Sequence, residues 1–103
     1  MTNYSATNVQ VAVHNKSLAA DTEDTVTLAG DRDTVEVINL DGAASIYFTV
    51  DNSAATVDGQ NTFVIPAAIG SLEVDVPTAG DTKVRLISDG TPTYSVQGPK
   101  PRG

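Results

Sequence analysis

The stretch Val35-Glu36-Val37-Ile38-Asn39-Leu40-Asp41-Gly42-Ala43-Ala44-Ser45-Ile46-Tyr47-Phe48-Thr49-Val50 decides the fold class. Two β-branched runs flank a short Asp-Gly-Ala-Ala turn. Within the runs Val35, Val37, Phe48 and Val50 alternate with Glu36 and Thr49. Alternation at a period of two places apolar side chains on one face of a strand and polar ones on the other. Read as a hairpin closed by Asp41 to Ala44, the stretch sets Val37 opposite Phe48 and Val35 opposite Val50 on a dry face. Its wet face then carries Glu36 opposite Thr49 and Ile38 opposite Tyr47, the last pair predicting an exposed apolar spot.

The same texture continues in both directions. Gly30, Asp58-Gly59, Pro66, Gly70, Pro77, Gly80, Asp89-Gly90, Pro92 and Gly98 cut the chain into short pieces. Between them lie Val9 to Val13, Thr25 to Leu28, Phe63 to Ile65, Leu72 to Val76, Val84 to Ile87 and Tyr94 to Val96. Short β-branched runs at this spacing are the mark of a sandwich or barrel, and no window repeats apolar residues at helical spacing. The expectation is an all-β fold, a single antiparallel β-sandwich of about eight short strands. Leu72 to Val76 and Thr82 to Leu86 read as a second hairpin, with Leu72 against Leu86, Val74 against Val84, Glu73 against Arg85 and Asp75 against Lys83. A third, through Asp89-Gly90-Thr91, sets Leu86 against Tyr94 and Val84 against Val96.

The chain has 103 residues, of which 40% are hydrophobic and 18% charged. That length suits one domain, and the balance belongs to a folded chain rather than a disordered one. Residues 9–98 form the expected sandwich. Residues 1–8, poor in apolar anchors, read as an N-terminal arm, and 99–103 (Pro-Lys-Pro-Arg-Gly) as a flexible tail. Cysteine is absent, which rules out disulfides, thiolate metal sites and a thiol nucleophile. The net charge of −7, six basic residues against thirteen acids, argues against nucleic acid and against anionic membranes, both of which are bound through Lys and Arg. Residues 1 to 20 contain neither a cationic start nor an apolar run, so the expectation is a chain kept in the cytoplasm where it is made.

Catalytic chemistry finds little to work with. The one histidine, His14, reads as a surface or edge residue near the end of a strand. Gly70-Ser71 has no nucleophile-elbow context, and no Gly-rich phosphate loop occurs. Asp31, Asp33, Asp51, Asn52 and Asp58 sit in loops. Their spacing does not follow a calcium loop, and Asp and Asn favour turns through their own side-chain hydrogen bonds; turn residues are the preferred reading, a bound cation the alternative. Phe48 and Phe63 read as core. With no Trp, Tyr47 is left as a weak stacking platform for sugar. No catalytic, cofactor or metal residue is assigned.

Val35 to Asn39, Ala44 to Asp51, Ala55 to Gly59, Thr62 to Ala67, Val84 to Ser88 and Gly90 to Gly98 together resemble small proteins encoded among the virion structural genes of tailed phages of actinobacteria. The likeness runs from about residue 23 to 98; the first twenty residues do not share it. The resemblance implies a virion structural protein made in the bacterial host cytoplasm. Its leading role is that of a capsid decoration (minor capsid) protein that binds the major capsid protein, or another virion protein, on the outer surface of the head shell and stabilises it. A tail or head–tail connector module, and a carbohydrate- or receptor-binding β-sandwich, are the alternatives. A homo-oligomer, a trimer by the geometry of the shell, is implied as well. The candidate partner-binding residues are the arm Met1, Thr2, Asn3, Tyr4, Ser5, Ala6, Thr7 and Asn8, together with Tyr47.

Overall fold

The β-branched runs become strands where their alternation places them. The computed structural model describes residues 2–6, 12–30, 34–57, 59, 62–77 and 80–98. Among these, nine strands follow in order: β1 (Thr2–Ala6), β2 (Ala12–Ser17), β3 (Asp24–Leu28), β4 (Thr34–Asn39), β5 (Ile46–Thr49), β6 (Phe63–Ile65), β7 (Gly70–Asp75), β8 (Thr82–Ile87) and β9 (Thr93–Gln97). They form a five-stranded sheet in the order β1-β3-β8-β5-β6 and a four-stranded sheet in the order β2-β9-β4-β7. The first strand expected, Val9 to Val13, is displaced toward the C-terminus as β2, with residues 9–11 outside the described ones.

The pairing is nested. β5 pairs with β6, β4 with β7, β3 with β8 and β2 with β9, all antiparallel. One long two-stranded ribbon with its tip at β5–β6 has thus been rolled up, and the further pairs β4–β9 and β5–β8 close the roll. This is the connectivity of a jelly roll. β1 is added at one edge, parallel to β3, from Thr2 opposite Asp24 to Ala6 opposite Leu28.

None of the three hairpins expected from the sequence forms. β4 and β5 lie in different sheets, as do β7 and β8, and β8 and β9. Val35 and Val37 face Val74 and Leu72 across β4–β7 instead, and Val84 and Leu86 face Val26 and Asp24 across β3–β8. The reason is geometrical. Alternation says which side chains point into the core, and a strand pair joined by an arch over the core satisfies it as well as a hairpin does. The Asp41–Ala44 turn is such an arch, and Asn39 makes it one. Its buried side chain donates from Nδ2 to the carbonyls of Ala44 (2.9 Å) and Pro66 (3.2 Å) and accepts from the Gly42 N–H (3.0 Å). Gly42 has a φ of 67°, and a Cβ there would sit 2.9 Å from the Ala68 carbonyl carbon, so the arch needs glycine for both conformation and room.

Between the sheets Val26, Leu28, Ile46, Phe48, Val84 and Leu86 of one layer meet Val35, Val37, Tyr94 and Val96 of the other, all fully buried. At roughly 1.5–3 kcal/mol for each such side chain buried, this layer is the main source of stability. A polar bond crosses it: the Tyr94 hydroxyl donates to Asp24 Oδ2 at 3.0 Å. Edge strand β2 carries a bulge between Val13 and Lys16, where Asn15 adopts a φ of 58°. Bulges of this kind blunt an edge against pairing with other chains.

The segment expected as an N-terminal arm is not one over residues 2–6. Those residues are strand β1; Ala6 is buried, its carbonyl accepts from the Ala29 N–H at 2.9 Å, and the Tyr4 ring lies under Lys16 Nζ at 4.9 Å. Only Tyr4 and Ala6 of Thr-Asn-Tyr-Ser-Ala turn toward the core, too short an apolar alternation to mark a strand in the sequence. Met1, Thr7, Asn8 and the tail 99–103 lie outside the described residues.

Candidate functional site

A sandwich has two open flanks, and this one opens a cleft on the flank where the edge strands β6 and β7 stand side by side. The cleft has a volume of about 300 Å³ and is lined by Thr49, Val50, Asp51, Phe63, Asp75 and Pro77. Each wall follows from the fold. β5 ends at Thr49, and the chain turns through Val50 and Asp51; β6 begins at Phe63; β7 ends at Asp75 and runs on to Pro77.

Phe63 was expected in the core, and the structure corrects this. It is 42% exposed. Phe63 does point inward, opposite Phe48 across β5–β6, with ring centroids 5.4 Å apart and tilted by 34°. Among the described residues no strand lies beyond β6 in its sheet, so an inward side chain there borders the open flank instead of a closed core.

The turn that carries Asp51 is firmly held. Asp51 Oδ1 accepts from the Ser53 N–H (3.0 Å) and the Ser53 hydroxyl (2.5 Å), which hold its carboxyl below the usual range. Asn52 takes a φ of 65°, and Thr49 Oγ1 donates to the Ser53 carbonyl at 2.6 Å. Arg85 bridges the turn to the sheet: Nε and Nη2 donate to Glu23 Oε1 at 2.9 and 2.6 Å, and Nη1 donates to the Asn52 carbonyl at 3.0 Å. Glu23 Oε2 in turn accepts from the Ala55 N–H at 2.8 Å. Asp51 and Asn52 are therefore turn-forming residues, as their chemistry suggested. Among the described residues no group of three or more acidic or histidine side chains is placed to hold a metal ion; Asp31, Asp33 and Asp58 lie outside them.

A second surface lies on the outer face of the five-stranded sheet. Tyr47 there stands opposite Val64 on one side and Ile87 on the other, an apolar row across three strands. Val64 is 48% exposed, and Tyr47 and Ile87 are half-buried. The exposed apolar spot expected around Tyr47 is thus present with different neighbours, since Ile38 is in the other sheet. Ile69, 76% exposed, follows β6 on the loop packed against Gly42. Thr2, Asn3 and Ser5 are exposed on β1 at the opposite edge of the sheet from β6, so they and Tyr47 do not form one site. His14 is exposed on edge strand β2, its Nδ1 2.6 Å from the Ser95 hydroxyl.

The cleft was missed in the sequence because its walls come from three separate segments. No pair of them is closer in the chain than the stretch from Asp51 to Phe63; the β5–β6 pairing joins the first two, and the crossover from β6 to β7 in the other sheet brings in the third.

No family model matches the chain, and no curated protein matches it. Solved structures do. The carbohydrate-binding module CBM_E1, from a sugar cane soil metagenome, has a TM-score of 0.58 at 11% identity, over 95% of this chain and 90% of its own. The likeness is one of fold alone. A de novo designed double-stranded β-helix gives 0.54 at 13% identity, over 85% and 97% of the two chains. PliG of Aeromonas hydrophila, a periplasmic inhibitor of g-type lysozyme, gives 0.51 at 13%, over 91% and 95%. These similarities support the all-β sandwich, which hosts unrelated functions.

Proposed function

We propose that this chain is a structural protein of a bacteriophage virion, a head decoration protein that binds the major capsid protein on the outside of the shell and acts as a binding module, not as an enzyme. One observation carries the reading. The segments that resemble phage virion proteins contain β5, β6 and β9 entire and most of β4 and β8, so the resemblance covers the framework of the roll and not an isolated loop. The apolar row Val64–Tyr47–Ile87 on the outer face of the five-stranded sheet gives such a module something to bury against a partner. The net charge of −7 steers it toward basic surfaces. A homo-oligomer, a trimer on the local three-fold positions of the shell, fits the preference of protein assemblies for closed symmetry.

Cryo-electron microscopy of particles with and without the gene tests this. Loss of density from the outer shell at local three-fold positions is the expected result. Loss from the neck or tail alone would replace decoration with a connector role, and unchanged particles would remove the virion reading.

A carbohydrate-binding module is the second reading, favoured by the fold likeness to CBM_E1 and by the ring of Phe63 in a cleft with two carboxylates. Titration with cellopentaose decides it: saturable perturbation of Phe63 would put this reading first.

A further inference from the structure

We propose that the cleft on the β6–β7 flank is a recognition site for arginine, receiving the guanidinium group of an extended basic segment of the partner protein. The inference deepens the virion reading and rests on it for the kind of partner.

Acceptors dominate the walls. Among the described residues, the side-chain polar groups there are the carboxylates of Asp51 and Asp75 and the hydroxyl of Thr49, and that hydroxyl already donates its proton to the Ser53 carbonyl. A complementary ligand brings donors and no acceptors, and guanidinium, with five N–H groups and no lone pair to satisfy, is the side chain of that description. Charge points the same way. No described cation lines the cleft, and Arg85 is committed to Glu23 and the Asn52 carbonyl. Asp51 is held ionised by its two bonds from Ser53.

The apolar walls fit as well. Phe63 shows its ring to the cleft, flanked by Val50 and Pro77. A planar guanidinium stacks on such a ring while its methylene stem covers the aliphatic wall. A lysine ammonium is a strongly hydrated point charge and gains less from a flat face. A volume of about 300 Å³ is at the small end of ligand sites, suited to one side chain. The backbone that delivers it has a place to run: β6 is the last strand of its sheet among the described residues, and an extended segment can add to such an edge. The bonds that fix the 49–55 turn leave little ordering to be done on binding.

The test is NMR titration of the full chain with blocked tripeptides Gly-Arg-Gly, Gly-Lys-Gly and Gly-citrulline-Gly, and with cellopentaose. Expected are saturable shifts of the Phe63 ring and of the Asp51 and Asp75 amides with the arginine peptide. The lysine peptide should bind more weakly, and the isosteric, uncharged citrulline peptide should leave the cleft unmoved. The double variant Asp51→Asn/Asp75→Asn should bind about tenfold more weakly, since about 1.4 kcal/mol is lost with the two charges. Phe63→Leu, a milder change to the fold, should weaken binding while leaving the preference for arginine over citrulline. Equal binding of citrulline, an unaffected double variant with a native spectrum, or shifts with cellopentaose alone would each overturn the proposal. The two readings fail separately. Arginine binding with particles unchanged by gene deletion removes the virion role and keeps the site; shell density lost on deletion with no arginine binding does the reverse.

Discussion

Replacing Tyr94 with Phe removes one oxygen from the middle of the sandwich and keeps the ring that fills it. Tyr94 is fully buried on β9 of the four-stranded sheet, and its hydroxyl donates to Asp24, buried on β3 of the other sheet. Burial pushes the Asp24 pKa up, against the pull of the Tyr94 bond and of the Thr2 backbone; burial and the Asp24 charge push the Tyr94 phenol up, so it stays a donor throughout the working range. Losing a hydrogen bond to a charged, buried acceptor costs about 1.5–3 kcal/mol. In a domain of this size that lowers Tm by on the order of 10 °C. The pH dependence has a definite sign. Because its folded pKa exceeds the unfolded one, Asp24 favours the folded state most below the unfolded pKa and loses that contribution as pH rises through the folded pKa. Removing the phenol removes a stabiliser of the charged form and raises the folded pKa further. The deficit of the Phe variant is therefore largest at neutral pH and shrinks on acidification as the carboxyl takes its proton. Urea unfolding of both proteins at neutral pH and near about pH 4 measures it. A loss below about 0.5 kcal/mol, or one that does not change with pH, would refute this account. So would strict additivity of Tyr94→Phe with Asp24→Asn, since bonded partners couple.

Thr82 is fully buried and its hydroxyl has no hydrogen-bond partner among the described residues, so Thr82→Val should raise the unfolding free energy by about 1 kcal/mol, seen as a higher urea midpoint at unchanged slope; a lower midpoint would mean that the hydroxyl is bonded. Gly42→Ala should cost more than Gly80→Ala, because both have a positive φ but only the Gly42 Cβ would strike a neighbour. Calorimetry should show about 1 kcal/mol of backbone strain at Gly80 and a clearly larger loss at Gly42, and equal losses would contradict the close approach to Ala68. Glu23→Gln weakens a part-buried ion pair to Arg85 and should cost about 1 kcal/mol or less. Its sharper signature is faster amide exchange of Ser53 and Ala55, with exchange in β3 and β8 changed only by the global loss.

Residues 35 to 50 show how far the sequence carries. Their alternation located two strands and named Val35, Val37, Phe48 and Val50 as core, and all four are buried. It said nothing of whether the strands are neighbours. Inward-facing side chains look the same in a hairpin and in an arch, and the decision fell to Asn39, whose buried amide ties the arch to the Pro66 carbonyl. Asn39 reads in the sequence as an ordinary strand end. Phe63 was misplaced for a related reason: its inward direction was legible, and its position at the end of a sheet was not. Of the candidate binding residues, Tyr47 was legible as an outward aromatic on a strand, while β1 was concealed by a polar sequence that gains its place from pairing with β3.

The sequence by itself determined the all-β class, the position of most strands and the face each apolar residue presents, because a period of two is a local property of the backbone. Tertiary structure alone decided the strand order, the parallel docking of β1 and the cleft walled by the ends of β5 and β7 and the start of β6. These depend on which distant segments meet, and side-chain alternation is blind to the sheet in which a strand lies.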